Sequence, residues 1–249
     1  MASQSKYVSW YADLKIEDVP QVGGKNASLG ELLSSLTEAG VRVPDGFATT
    51  SEAYREYIRA NDLETKMKKE LDALASGKQS LSKTGRAVRL LFRNGEFPDA
   101  VEEEIRAAYR ELSERYDSEE VDVAVRSSAT AEDLPGASFA GQQETFLNIV
   151  GEEELVEACR NCYASLFTDR AISYRTEQGF DHMDVALSVG VQKMVRSDLS
   201  GSGVLFTLDT ETGFPDVVVI NGAWGLGENV VQGAVNPDEY RVFKPLLAE

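Results

Sequence analysis

Apolar and polar positions along the chain change their period near residue 120. Leu29, Leu32, Leu33 and Leu36 recur at helical spacing and predict a helix over residues 28–39. Gly40 closes it, and Gly23-Gly24-Lys25-Asn26 stands immediately ahead of it. A short extended piece is predicted at 46–50, then a helix with Ser51 as its N-cap and Tyr54, Tyr57 and Ile58 on one side. From about Asp62 to Tyr116 the pattern is helical, punctuated by Gly77, Gly95 and Pro98. At Val121 the texture changes. Residues 121–126 alternate as a strand, and a loop of small residues is expected over 127–141. A strand at 145–150 and a helix at 152–167 come next, the helix carrying Leu155, Cys159, Cys162, Tyr163 and Leu166 on one side. Further strands are predicted at 185–195, 203–208, 217–220 and 240–243. Helices fill the first half and strands the second, which predicts an α+β fold and not a regular βαβ alternation. The expected division is a mostly helical subdomain over 1–120 and a β-rich one over 121–249.

Charge narrows what such a fold could bind. The 25 basic and 42 acidic residues leave a formal net charge of −17. A chain this acidic has no general basic field for nucleic acid, so an anion needs a local cluster of donors. No apolar run reaches the length of a membrane span, and the N-terminus lacks the basic-then-apolar order of a signal peptide. Cys159 and Cys162 are too few for a disulfide scaffold and point to a reducing cytoplasm. Three residues apart on a helix they share a face, and are expected in the core. His182 is the only histidine, which excludes a multi-His metal site; it is expected in a turn, structural or solvated.

Three segments pair glycine or small residues with the donors that phosphate requires. Lys25 follows Gly23-Gly24 at a helix start, where backbone N–H groups favour an anion. Arg126 stands at an expected strand end before a long Ser/Thr/Ala/Gly-rich loop, whose small side chains let backbone donors approach a polyphosphate. Asn221-Gly222-Ala223-Trp224-Gly225-Leu226-Gly227 follows a strand. Val230 occupies the third glycine position of a dinucleotide fingerprint and there is no βαβ context, so that reading is rejected. No Walker A sequence is present. Gln192 closes a strand whose exposed backbone and apolar neighbours would suit an adenine ring.

Read together, several segments resemble the N-terminal nucleotide-binding region of the phosphoenolpyruvate synthase and pyruvate phosphate dikinase family. They are Val22-Gly23-Gly24-Lys25-Asn26-Ala27-Ser28-Leu29-Gly30-Glu31, Val125-Arg126-Ser127-Ser128-Ala129-Thr130, Phe139-Ala140-Gly141-Gln142-Gln143-Glu144-Thr145 and Gln232-Gly233-Ala234-Val235-Asn236-Pro237-Asp238-Glu239. The resemblance implies an ATP-grasp fold, incomplete at its C-terminal end. Lys25 and Arg126 would bind ATP phosphates, Gly141 and Thr145 would lie in the loop over the nucleotide, and Gln192 would lie beside adenine. It implies ATP and Mg2+ as cofactors, with the metal ligands left open. It also implies conversion of ATP, pyruvate and water to AMP, phosphoenolpyruvate and phosphate through a phosphohistidine on a domain not found here. No catalytic residue is therefore expected in this chain. Because family members are several-fold longer, the chain is expected to be a fragment that cannot make phosphoenolpyruvate alone. Pyruvate would be met only by the missing domains, and the full-length protein would be a homodimer. A rifampin-type phosphotransferase, a pyruvate phosphate dikinase and a non-catalytic nucleotide-binding module are the alternatives.

Overall fold

The computed structural model describes residues 5–130 and 144–247. They form two compact units, 1–194 and 195–249, each with its own sheet.

The first unit begins with β1 (Val8–Trp10), α1 (Val19–Thr37), β2 (Gly46–Thr49) and α2 (Ser51–Ala60). Three helices follow: α3 (Leu63–Ala75), α4 (Leu81–Arg93) and α5 (Asp99–Arg115). Then come β3 (Val123–Ala129), β4 (Thr145–Ile149), α6 (Glu152–Ser165), α7 (Asp169–Gln178) and β5 (Leu187–Lys193). The sheet order is β1-β2-β5-β3-β4, and every pairing is antiparallel. Strands from before and after residue 120 therefore share one sheet. That is why the compact units divide at Met194/Val195 and not at the expected 120/121.

Side chains alternate across a strand, and here the two faces of the sheet differ in chemistry. Phe47, Val123, Val125, Val189 and Val191 point into the main core, which they share with α2 and α4–α6 through Tyr54, Tyr57, Phe92, Ile105, Leu112, Leu155 and Tyr163. Aromatic rings fill its centre: Tyr57 lies 4.8 Å from Phe97 and 5.4 Å from Tyr163, centroid to centroid. The opposite face carries α1 and a small cluster of Tyr11, Leu14, Val22, Ala27 and Ala48.

Local chemistry explains the element ends. The Thr50 hydroxyl, not that of Ser51, accepts from the Ala53 N–H and caps α2. Ser51 is the first helical residue instead, and its hydroxyl donates to the Pro20 carbonyl at 3.3 Å. The Thr168 hydroxyl caps α7 in the same way as Thr50 caps α2. Gly40, just beyond α1, takes φ +81.

Cys159 and Cys162 are both fully buried on α6, as their helical spacing predicts. Burial pushes the Cys159 thiol up to about 12. It also raises Cys162, helped by Cys159 and Glu144 and partly opposed by Lys25. The thiolate is the reactive form. A chromogenic disulfide reagent at mildly alkaline pH is therefore expected to find no reactive thiol in the native protein, and both cysteines after strong denaturant. Rapid native labelling would contradict the burial.

The second unit is a three-stranded antiparallel sheet of β6 (Gly201–Phe206), β7 (Val217–Trp224) and, after the short helix α8 (Gly227–Val231), β8 (Asp238–Phe243). β7 runs four residues further than expected. Asn221–Trp224 pair with Gly201–Val204, so the start of the glycine-rich segment is strand. Asp209 anchors the β6–β7 connection. Its carboxylate accepts from the N–H groups of Glu211 and Thr212 and pairs with Arg241 at 3.0 Å. Those N–H bonds, with Arg241 adding, hold its carboxyl below the usual range. Among the described residues, no helix is long and apolar enough to cross a membrane.

Candidate functional site

Three of the predicted site residues, Arg126, Thr145 and Gln192, belong to the sheet face that carries α1. β3 runs on through Ser127, Ser128 and Ala129, which the sequence pattern assigns to a loop, so Arg126 is mid-strand and not at a strand end. Cross-strand pairing sets this: Ser127, Ser128 and Ala129 oppose Val189, Ser188 and Leu187 of β5. Arg126 opposes Gly190 on one side and Thr145 on the other. Directly opposed residues share a face with Cβ atoms about 5 Å apart, and a diagonal neighbour lies about 7–8 Å away. Arg126, Thr145 and Gln192 therefore stand on one face. Arg126 and Thr145 are exposed there, and Gln192 is 8% exposed.

Lys25 approaches from α1. The helix is broken at Gly23, which takes φ 75 and ψ 162, so Lys25 lies in the first turn after the break. Its ammonium reaches the Ser127 carbonyl at 3.3 Å, one residue from Arg126 in β3. The break is possible only with glycine. A Cβ at Gly23 would lie 2.3 Å from Ser128 Oγ and 2.5 Å from the Ser128 carbonyl oxygen. Gly23→Ala is expected to lower stability by about 1–3 kcal/mol through backbone strain, with the clash added. Gly40→Ala meets nothing within 4 Å and should cost only the backbone penalty of about 1–2 kcal/mol. Urea midpoints of the two variants check the ranking.

Tyr11 lies beneath this surface, fully buried. A Cβ on Gly46 would lie 2.8 Å from its ring and a Cβ on Gly190 2.5 Å from its hydroxyl. Burial raises its phenol above the ordinary value, and Arg126 opposes the rise. The phenol stays neutral and donates to Asn26 Oδ1.

Gln192 does not stand at a strand end with free backbone. β5 is a central strand, flanked by β2 and β3. The next two N–H groups, of Lys193 and Met194, donate to Asp45 and Asp122 carbonyls, and the Met194 carbonyl accepts from Lys193 Nζ. The Gln192 amide donates to the Pro44 carbonyl at 3.0 Å. Of the five site residues, Gly141 lies outside the described residues. The other four come together on one face and its bordering helix. The buried polar residues Tyr11, Asn26, Ser128 and Ser188 beside them were not anticipated. The neighbouring Asn26, directly after Lys25, is the one sequence signal that could have pointed there.

Two grooves elsewhere contain none of these residues. One of about 750 Å3 follows α3 past Glu64, Lys68, Lys69 and Asp72. Another, of about 370 Å3, lies between α3 and α4. Lysines alternate with carboxylates in the first, as on a solvated helix face.

Residues 19–248 match the family model described as pyruvate phosphate dikinase, AMP/ATP-binding domain. The chain belongs to that family. It is 58% identical over 241 residues to the phosphoenolpyruvate synthase of Aquifex aeolicus, covering 96% of this chain and 28% of that protein. With the phosphoenolpyruvate synthase of Escherichia coli the identity is 53% over 245 residues, 98% of this chain and 31% of that protein. With that of Pyrococcus furiosus it is 43% over 272 aligned positions, 96% of this chain and 33% of that protein. The chain thus spans about a third or less of the curated relatives it matches.

Proposed function

We propose that this chain is the ATP-binding portion of a phosphoenolpyruvate synthase, with an ATP-grasp-like arrangement. Lys25 and Arg126 would hold the phosphates and Thr145 would hydrogen-bond beside them. Gln192 would lie toward the base. One observation carries this reading: Arg126, Thr145 and Gln192 share a sheet face, while the Lys25 ammonium meets the same strand one residue from Arg126. Phosphoryl transfer depends on positioning and charge neutralisation more than on covalent help, and this face offers both.

Mg2+ is proposed to arrive with the nucleotide. Among the described residues no group of three or more His, Cys, Asp or Glu stands together to hold a metal ion, so no residue of this chain is assigned to it. The whole enzyme would convert ATP, pyruvate and water to AMP, phosphoenolpyruvate and phosphate. This chain alone would bind nucleotide without forming phosphoenolpyruvate.

Calorimetric titration with ATP, inorganic tripolyphosphate and adenosine tests the reading. ATP and tripolyphosphate should both bind, and Lys25→Ala should weaken both about tenfold, near 1.4 kcal/mol for one charge-assisted contact. Absence of binding at millimolar ATP, or a Lys25→Ala variant that binds as the wild type does, would count against it.

A further inference from the structure

We propose that Asn26 is a positioning residue that sets the spacing of Lys25 and Arg126 for a polyphosphate; this rests on the phosphate-binding reading above. Asn26 is 2% exposed, so it cannot meet a ligand as a surface group. Its side chain is used on every side. Oδ1 accepts from the Tyr11 hydroxyl at 3.2 Å, and Nδ2 donates to the Val22 carbonyl at 3.0 Å and to Ser188 Oγ at 2.8 Å. Its backbone N–H points to Ser128 Oγ at 3.4 Å.

Two features turn these bonds into a gauge. First, the Nδ2–Val22 bond crosses the break at Gly23 and ties the two halves of α1 together where the helix is weakest. Second, Ser128 and Ser188 oppose each other across β3 and β5, so one residue grips both strands of a cross-strand pair. The adjacent pair on that face is Arg126 and Gly190. A Cβ at Gly190 would lie 2.2 Å from Asn26 Oδ1, so the space opposite Arg126 is filled by the Asn26 amide. Ser188 in turn donates to the Thr49 carbonyl at 2.5 Å, and the Val189 N–H donates to Thr49 Oγ1, which extends the anchor to β2. Lys25 precedes the clamp by one residue, and Arg126 stands two residues from its serine anchor. The clamp thus fixes one cation, in the first turn after the helix break, against another on a strand.

The test is titration of this chain and its Asn26→Ala variant with tripolyphosphate, ATP and adenosine, well below the variant's melting temperature and with its near-ultraviolet circular dichroism checked. Tripolyphosphate and ATP affinity should fall tenfold or more while any adenosine affinity stays unchanged. Tyr57→Phe loses a buried hydrogen bond to the Phe92 carbonyl in the main core and serves as the control for destabilisation alone. It should bind ATP as the wild type does. A folded Asn26→Ala variant with unchanged tripolyphosphate affinity overturns the proposal. Equal loss in Tyr57→Phe also overturns it, because general loosening would then suffice. Where Asn26→Ala does not fold, Ser188→Ala removes one arm of the clamp. It should weaken tripolyphosphate about threefold, and no change refutes the idea. Arg126→Ala run in parallel separates the two levels. If it weakens tripolyphosphate and Asn26→Ala does not, only the positioning role fails. If neither does, or the wild type binds no tripolyphosphate, the phosphate site and the positioning role fall together.

Discussion

Arg126→Ala is expected to weaken ATP binding ten- to a hundredfold and to leave adenosine binding unchanged. A hydrogen bond with an ionised partner contributes about 1.5–3 kcal/mol, and a guanidinium can supply two such bonds to one phosphate. Its removal should not disturb the scaffold. The Arg126 side chain is exposed, and its strand is paired on both sides, to β5 through Gly190 and to β4 through Thr145. The variant should therefore melt close to the wild type, which isolates the ligand effect. The formal net charge of −17 enlarges the consequence, because the remaining molecule repels a polyphosphate and the local cations must overcome that field. Arg126→Lys keeps the charge but loses the planar fork, and should fall between the two. Calorimetric titration at two salt concentrations checks the set. The wild-type affinity should drop with added salt, and the drop should be shallower in Arg126→Ala. Unchanged ATP affinity in that variant would remove Arg126 from the site.

The candidate residues stand out in the sequence more clearly than their setting does. Lys25 and Arg126 were legible because cations beside glycines and small residues are unusual on an acidic chain. The extent of β3 was not legible. Ser127, Ser128 and Ala129 have the composition of a loop, and only their pairing with Leu187–Val189, some sixty residues away, makes them strand. The helix cap moved by one residue for a local reason. Thr50 retains extended backbone and can turn its hydroxyl back on the Ala53 N–H, while the Ser51 hydroxyl is directed to Pro20. Period alone cannot tell that β1 and β2, embedded among helices, join the sheet of β3–β5, so the shared sheet was not legible either. Asn26 shows the same limit at the site. Its type favours turns and caps in general, but its role follows from Ser188, 162 residues away.

The second large effect concerns His182, which should titrate near pH 4. His182 sits half-buried in the turn after α7, and Arg175 Nε donates to its Nδ1 at 3.0 Å. An imidazole that accepts at Nδ1 must be neutral there. Arg175 is itself wholly buried. Its Nη2 donates to the Leu166 carbonyl, its guanidinium lies 5.1 Å from the Phe167 ring, and among the described residues Nη1 has no hydrogen-bond partner. Burial lowers this guanidinium to about 10, so it is still a cation at neutral pH. A proton on His182 would place a second positive charge against it. Burial first, then Arg175, lowers the imidazole to about 4, with Asp181 opposing. An unfolded histidine titrates near 6.5, so between about pH 4 and 6.5 the unfolded chain binds one proton more than the folded one. Stability must then rise with pH across that window and be lost as pH falls through it. Solvent screening of a half-buried ring reduces the full linkage to about 1–3 kcal/mol. Carboxylates held low by their partners, such as Glu52 and Glu153, lose their contribution only below their own unfolded value of 4.5. Among the described residues, the upper part of the window therefore belongs to His182. Because the chain has one histidine, a single imidazole resonance followed by nuclear magnetic resonance reports it without assignment. Urea unfolding at several pH values should show a slope that His182→Gln abolishes between about pH 5.5 and 6.5. A resonance that titrates near 6.5, or a slope that persists in the variant, would show that Arg175 does not hold this ring neutral.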